Sequence, residues 1–334
     1  MSERKVKCAV VGYGGAFNMG KAHAQWMKDT GRMVILAACD IDPARTAEAR
    51  QDFPDIATYD DIDKMLAESD AELVVIITPH NTHAELGLKV LNAGRHVVLE
   101  KPMCITADEA TAMIEAAKKA EVTLTTFHNR RHDGDFMAIK EAIEKGLIGE
   151  VFHIEAASGG YGHPRHWWRS DKKISGGCMY DWGAHFVDWI LNLIPEKIEN
   201  VTGFFHKRVW HDVTNEDHTQ AIIRFKNGAM ADLQISNIAR INKPRWRILG
   251  TKGAILDQGA GSFKLATEVD GVAVEGEVKY KESTWPEYYQ NLAAHLLDGA
   301  PLEVTPESAR RVIAVIETAE KSATSGKSEP VPFE

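Results

Sequence analysis

Cysteine is scarce in this chain, with four residues among 334. The four lie far apart, no C-x-x-C pair occurs, and three of them sit in or beside apolar segments. This distribution disfavours a disulfide framework and is typical of buried thiols in a reducing compartment. We therefore expect a cytoplasmic protein.

Long hydrophobic runs and long basic blocks are also lacking. No apolar run approaches the ~20 residues of a membrane span, and residues 1–5 lack the pattern of a secretory signal. The formal net charge is -9, which disfavours nucleic acid or an anionic membrane as a partner. A small molecule is the expected ligand.

The length of the chain exceeds the comfortable size of one hydrophobic core, so two domains are expected. Over residues 1–127, short apolar β-branched runs alternate with helical patterns such as 84–92 and 108–120. This alternation predicts an α/β domain with a doubly wound parallel sheet, a Rossmann domain. The predicted strands are 8–11, 34–39, 57–59, 73–78, 96–100 and 122–127.

After residue 127 the pattern changes to helices near 135–145 and 178–193, followed by strands that read as antiparallel. The runs 221–225 and 230–235 flank Asn227-Gly228, a strong hairpin signal. Two further helices are predicted at 287–297 and 306–323, the second opened by a proline at its first position. We predict a second, α+β domain over 128–334.

A glycine turn follows the first strand, with the pattern Gly-x-Gly-Gly starting at Gly12. Such glycines let the backbone approach a dinucleotide pyrophosphate closely, although a purely structural turn is the alternative. The third glycine of G-x-G-x-x-G would fall at Phe17, and the next glycine is Gly20, so the loop is longer than usual. The residues of this loop expected to bind cofactor are Gly12, Gly14, Gly15, Ala16, Phe17 and Asn18.

The second strand is followed by Asp40, about 20 residues beyond the turn. A carboxylate there accepts both hydroxyls of the adenosine ribose and repels a 2′-phosphate. NAD is therefore the predicted cofactor. NADP is less favoured, and Arg45, which can swing towards a phosphate, keeps it as the alternative.

Two further segments carry candidate catalytic residues. Lys101 follows the fifth strand, at the edge of a parallel sheet where ligands bind, although surface lysines are common. Asp181 and His185 are four residues apart on one predicted helix face. A carboxylate beside an imidazole suits a general base. The alternative is a local capping or solvent pair, with Asp188 completing a polar outer stripe.

Taken in order, these motifs resemble those of the family of glucose-fructose oxidoreductase, inositol dehydrogenase and MocA, over nearly the whole chain. The markers are the glycine turn followed by His23, Thr78-Pro79 with His83, Glu100-Lys101-Pro102, Asn129-Arg130-Arg131, and Gly176-Gly177 with Asp181 and His185. The resemblance implies a Rossmann domain followed by a domain with a large open, mainly antiparallel sheet. That sheet often serves as an oligomer interface, so a homodimer or homotetramer is expected.

The resemblance further implies oxidation or reduction of sugars, inositols and related polyols, with Lys101, Asp181 and His185 as the catalytic residues. In this mechanism His185 accepts the hydroxyl proton, Lys101 hydrogen-bonds the same oxygen, and Asp181 orients the imidazole. Two alternatives are an NAD-assisted glycosidase, which oxidises a sugar transiently before elimination, and a sensor of sugar or nucleotide without catalysis. Further residues expected at the cofactor are Asp40, Thr78, Pro79, His83, Glu100, Lys101, Asn129 and Arg169.

The polar, aromatic segment 161–169 precedes the predicted catalytic helix and is expected to line the substrate cleft. Convergence of four arginines on this cleft, at 130, 131, 165 and 169, would favour an acidic sugar, which is the alternative substrate. No compact histidine or carboxylate pair shows ligand spacing, so no catalytic metal is expected. The residues expected to bind substrate are Lys101, Arg130, His163, Trp167, Asp181 and His185.

Overall fold

A computed structural model of the protein describes residues 4–15, 17–257 and 259–334. The chain divides into two compact units. The first contains the chain up to Asn129 together with Pro286–Arg310, and the second contains Arg130–Trp285 and Arg311–Glu334.

The first unit is built from alternating strands and helices. Its strands are β1 Val6–Val11, β2 Met33–Cys39, β3 Ala57–Tyr59, β4 Leu73–Ile76, β5 His96–Leu99 and β6 Leu124–Thr126. Its helices up to Asn129 are α1 Met19–Asp29, α2 Pro43–Asp52, α3 Ile62–Glu68, α4 His83–Asn92 and α5 Ala107–Ala120.

Among the described residues these strands form one six-stranded sheet in the order β3-β2-β1-β4-β5-β6. Every neighbouring pair is parallel. The predicted doubly wound Rossmann sheet is therefore confirmed. The strand order reverses direction between β1 and β4, and the carboxyl ends of strands at such a switch point form the usual ligand edge.

The second unit contains a larger sheet covered by helices. Its strands are β7 Val151–Gly159, β8 Ile198–His206, β9 His218–Phe225, β10 Met230–Ser236, β11 Trp246–Gly250, β12 Gly253–Asp257, β13 Ser262–Val269 and β14 Val272–Lys279. Its helices before residue 286 are α6 Gly134–Glu144, α7 Lys172–Ser175 and α8 Ala184–Leu193.

In the described part of the chain these strands form an eight-stranded sheet in the order β14-β13-β12-β11-β7-β10-β9-β8. Only the pairing of β7 with β10 is parallel there, so the predicted mainly antiparallel sheet is confirmed. The β9–β10 hairpin turns at Gly228, whose φ of 88° explains the glycine. Trp189 of α8 packs against Trp246 of β11, which places this helix on the sheet.

Two helices complete the chain, α9 Glu287–Asp298 and α10 Pro306–Ser325. Tyr288, Tyr289 and Leu292 of α9 are buried in the core of the first unit, together with Phe127. The predicted division into 1–127 and 128–334 therefore differs from the observed one by residues 128–129 and 286–310. The apolar face of α9 is visible in the sequence, but its partner is the distant Rossmann core, which no local pattern reveals.

Within the described ranges, no helix has both the length and the hydropathy that crossing a bilayer requires.

Candidate active site

The glycine turn after β1 is shaped by a close approach to the end of β4. Gly12 has a φ of 88°, and a Cβ there would lie 2.8 Å from the carbonyl oxygen of Ile77. The Gly12 amide donates to the Cys39 carbonyl at 2.8 Å. Only glycine fits this position, because any side chain would meet backbone that cannot move aside.

Gly20 acts as the third glycine of the motif. Asn18 adopts a left-handed conformation with φ of 52° immediately before α1. A Cβ at Gly20 would lie 2.7 Å from the Cα of Tyr13, so this residue allows the helix to pack closely on the turn. The longer loop thus retains the close helix packing that the third glycine provides. Ala16 lies outside the described residues, and Phe17 is exposed.

Asp40 faces this turn from the end of β2. One carboxylate oxygen accepts a hydrogen bond from the Asp42 amide at 2.9 Å, and the other lies 3.8 Å from the Cβ position of Gly14. The Arg45 guanidinium covers Gly15 and donates to Glu48 at 2.9 Å. The glycine backbone, the start of α1 and the Asp40 carboxylate together fit the pyrophosphate and adenosine ribose of a dinucleotide.

Glu100 holds the corner that carries Lys101. Its Oε1 lies 3.1 Å from Nε2 of the buried His23, and its Oε2 accepts the Lys101 amide at 2.9 Å. The other nitrogen of His23 lies 2.5 Å from the Tyr289 hydroxyl. Burial raises the pKa of Glu100, but the bonds to His23 and the Lys101 charge outweigh it, and the pKa is lowered overall. An ionised Glu100 therefore fixes the backbone of Lys101.

His83 supports the same corner from behind. Its Nδ1 lies 2.8 Å from the Pro102 carbonyl oxygen and its Nε2 lies 2.8 Å from that of Thr78. The ring is fully buried, and burial lowers its pKa. His83 was expected to contact the cofactor. Because its ring has no exposed surface, the structure instead makes it a link between the ends of β4 and β5. Asn129, another expected contact, is also buried.

In the second unit, a double glycine leads into a π-helical turn. Gly176 and Gly177 have φ values of 86° and 130°, and the next amide, that of Cys178, donates to Glu216 at 3.1 Å. Residues Met179–Gly183 then form a π-helix before α8 begins. The predicted continuous helix over 178–193 is therefore wrong in its first turns. Such π segments occur frequently at functional sites, and Asp181 lies within this one.

Asp181 is paired with an arginine of the preceding loop. Arg169 Nη1 lies 3.1 and 3.2 Å from its two carboxylate oxygens. The guanidinium also lies over the rings of Trp167 and Trp168, with distances of 5.4 and 5.0 Å to the ring centroids. Arg169 was expected at the cofactor, and the structure gives it a direct contact with a candidate catalytic residue.

His185 lies on α8 between two indole rings. Its ring centroid is 5.8 Å from that of Trp182, edge to face, and 6.2 Å from that of Trp189, nearly parallel. The imidazole is largely buried. An open cavity of about 390 Å³ has Trp182 in its wall and is otherwise lined by residues 158–162 and 235–237. The aromatic ring offers a flat apolar surface of the kind that stacks on sugar rings.

The neighbouring arginines are engaged with carboxylates. Arg130 pairs with Asp133 at 2.9 Å and lies 4.6 Å from the Trp182 ring centroid. Arg131 forms two hydrogen bonds of 2.6 and 2.9 Å to the buried Asp188. The idea that Asp188 belongs to a polar outer stripe is therefore wrong, because this carboxylate is buried against a guanidinium.

The loop that was expected to line the substrate cleft brings two histidines to one carboxylate. Nε2 of His163 and Nε2 of His166 lie 2.9 and 3.2 Å from Oδ2 of Asp212. His163 Nδ1 accepts the Arg165 amide at 2.9 Å. Both ring nitrogens of His163, a predicted substrate contact, are thus occupied. Sequence reasoning missed this cluster, because it did not recognise the two histidines, three residues apart, as a ligand pair and because Asp212 lies far along the chain.

Comparisons with known proteins identify the family. Residues 6–128 match the oxidoreductase family with an NAD-binding Rossmann fold, and residues 136–256 match the GFO/IDH/MocA C-terminal domain. Together the matches cover most of the chain. The protein therefore belongs to the GFO/IDH/MocA family and is an oxidoreductase with an NAD-binding domain. The predicted family, cofactor class and enzyme class are confirmed.

Individual relatives resemble the chain over different lengths. An oxidoreductase of Schizosaccharomyces pombe, C115.03, is 31% identical over 64% of this chain, and the match spans only 60% of that protein. The scyllo-inositol 2-dehydrogenase (NADP(+)) IolW of Bacillus subtilis is 28% identical over 84% of each chain. The crystal structure of an NAD-binding protein from Listeria innocua is 27% identical with a TM-score of 0.87, covering 99% of this chain and 98% of that one.

Proposed function

We propose that the protein transfers a hydride between NAD and a hydroxyl-bearing carbon of a sugar, inositol or related polyol. The observation that carries this proposal is the Glu100–His23 pair, which fixes Lys101 at the ligand edge of the Rossmann sheet. Membership of the family and the likeness to an inositol dehydrogenase support the substrate class. Thr78 and Pro79, which follow β4 at the same edge, remain proposed cofactor contacts.

In this mechanism Lys101 donates a hydrogen bond to the substrate oxygen. His185 accepts the hydroxyl proton while the carbon gives up its hydride, so the proton and the electron pair are both accounted for. Bound NAD supplies the hydride acceptor. Asp181 is proposed to orient the His185 imidazole, and Arg169 holds the Asp181 carboxylate in place. Pairing with an arginine fixes the orientation of a carboxylate.

NAD is proposed over NADP because Asp40 faces the glycine turn. A 2′-phosphate at the ribose would meet its negative charge. Arg45 is engaged with Glu48, so it would have to give up an ion pair to reach a phosphate. The B. subtilis relative carries NADP(+) in its name, which makes the cofactor preference a separate test of this chain.

The test is turnover on a panel of inositols, neutral sugars and uronates with each cofactor, followed by NADH or NADPH absorbance. We expect NADH formation with a neutral polyol and a loss of at least about 100-fold in kcat for Lys101→Ala and His185→Asn. Lys89→Ala, a lysine paired with Asp63 elsewhere on the first unit, should keep full activity. Unchanged turnover of Lys101→Ala at saturating NAD would refute the assignment, and release of the aglycone from an added glycoside without net NADH would favour the glycosidase.

A homodimer or homotetramer through the large sheet is also part of the proposal. Large apolar side chains remain exposed on it, including Phe152, Phe204, Val272 and Val274. These side chains lie on β7, β8 and β14 and support an interaction surface on this sheet. Light scattering of the purified protein should therefore give a mass above that of one chain, and a monomer at micromolar concentration would rule this assembly out.

A further inference from the structure

We propose that His163, His166 and Asp212 form a binding site for a divalent transition-metal ion of the Zn²⁺ class. The residues come from two separate connections of the second unit. The histidines lie between β7 and α7, and Asp212 lies between β8 and β9. Their ligand atoms all lie within 4.8 Å of one another.

The distances suit tetrahedral coordination. Zinc bonds to imidazole nitrogen and carboxylate oxygen are about 2.0–2.2 Å, which separates neighbouring tetrahedral ligands by about 3.3 Å. The two imidazole nitrogens lie 2.9 and 3.2 Å from the Asp212 oxygen. A small outward shift of His163 would therefore admit an ion, with water in the fourth position.

The types of ligand atom determine which metal ions the site prefers. Two imidazoles and one carboxylate suit Zn²⁺, Co²⁺ and Ni²⁺, whereas Mg²⁺ and Ca²⁺ prefer sites made of oxygen atoms. A neighbouring aromatic ring also helps to fix the orientation of His163. Trp210 packs edge to face against the His163 ring, with the ring centroids 5.2 Å apart.

Metal binding has a defined local consequence. In the metal-free arrangement, Nδ1 of His163 accepts the Arg165 amide. A metal on Nε2 of a neutral ring moves the ring proton to Nδ1, so this hydrogen bond must break. Arg165 holds a left-handed conformation with φ of 68°, and we expect the 163–166 segment to rearrange there. The ion would then link this loop, which continues to Arg169, to the 207–217 connection.

The experiment titrates the full chain, prepared without a histidine tag, with Zn²⁺ against a chromophoric chelator. We expect one ion per chain, and a loss of affinity of at least tenfold in His166→Ala and in Asp212→Asn. His211→Ala is the matched control, because this exposed histidine adjoins Asp212 but is not part of the cluster. It should change the affinity less than twofold. The side chains of His166 and Asp212 are 70% and 54% exposed, so these variants should fold.

Two further readouts separate this site from general surface binding. Co²⁺ should give the visible absorption of a tetrahedral site with wild type and not with Asp212→Asn, and Mg²⁺ should not displace it. Hydrogen exchange in the peptide containing Arg165 should change on adding Zn²⁺ to wild type only. Equal Zn²⁺ affinity in wild type and both ligand variants, or an equal loss in His211→Ala, would overturn the proposal. These measurements need no turnover, so they are independent of the proposed activity.

Discussion

Replacing Asp188 by asparagine should destabilise the second unit strongly. Asp188 accepts two hydrogen bonds from Arg131, and their side chains are only 3% and 8% exposed. Asparagine keeps the shape but removes the charge that compensates the buried guanidinium. Breaking a buried ion pair from one side costs about 3–5 kcal/mol. At roughly 2–4 °C per kcal/mol for a unit of this size, Tm should fall by about 6–20 °C.

The control variant is Glu155→Gln on the same unit. Arg247 lies 2.8 Å from Glu155, so the chemistry and the distance match, but these side chains are 45% and 30% exposed. Exposed pairs contribute about 0–1 kcal/mol. Thermal and urea unfolding followed by tryptophan fluorescence would compare both variants with wild type. A cost for Asp188→Asn within 1 kcal/mol of that for Glu155→Gln, on the order of experimental error, would refute this reasoning about burial.

Three other changes test the first unit, with Gly276→Ala as a control on the second. Asp40→Ser should weaken NADH binding about tenfold or more, since hydrogen bonds to a charged group contribute about 1.5–3 kcal/mol. It should also raise the affinity for NADPH relative to NADH. An unchanged ratio of the two affinities in fluorescence titrations would contradict this prediction. Gly20→Ala should lower the free energy of unfolding by about 1–3 kcal/mol. Gly276→Ala is the control, because no atom lies within 4 Å of its Cβ position. It should change the free energy of unfolding by less than about 0.5 kcal/mol. Because burial lowers the pKa of His83 below 6.5, the unfolded chain takes up the proton first. The free energy of unfolding should therefore fall as pH drops below 6.5, by at most about 1.4 kcal/mol per pH unit. His83→Gln should make this pH dependence weaker.

The Rossmann half of the fold was predictable because its signals are local. The central strands β1, β4 and β5 are short apolar runs buried over nearly their whole length. The more exposed β3 was predicted with its observed bounds, 57–59. Gly12 and Asp40 follow their strands directly, so their positions at the ligand edge follow from the parallel order alone. The hairpin at Gly228 was also predictable from neighbouring residues alone.

The remaining features depend on contacts between distant residues. Tyr289 bonds to His23 across 266 positions, and nothing around residue 289 indicates that partner. The π-helical turn at Asp181 depends on the packing of the whole segment, since helical periodicity does not distinguish it from an α-helix. Asp188 looked like a surface residue because its partner Arg131 enters from another helix-forming segment.

The pairing of the arginines also bears on the charge of the substrate. Four arginines were the reason to consider an acidic sugar, and three of them, Arg130, Arg131 and Arg169, each lie against a carboxylate. An anionic group would have to compete with those carboxylates, and for the Arg131 pair it would leave Asp188 buried without its guanidinium. A neutral hydroxyl can accept a hydrogen bond from a guanidinium without breaking the ion pair, since each guanidinium has five N–H donors. The pairing of these three arginines therefore supports the proposed neutral polyol over a uronate.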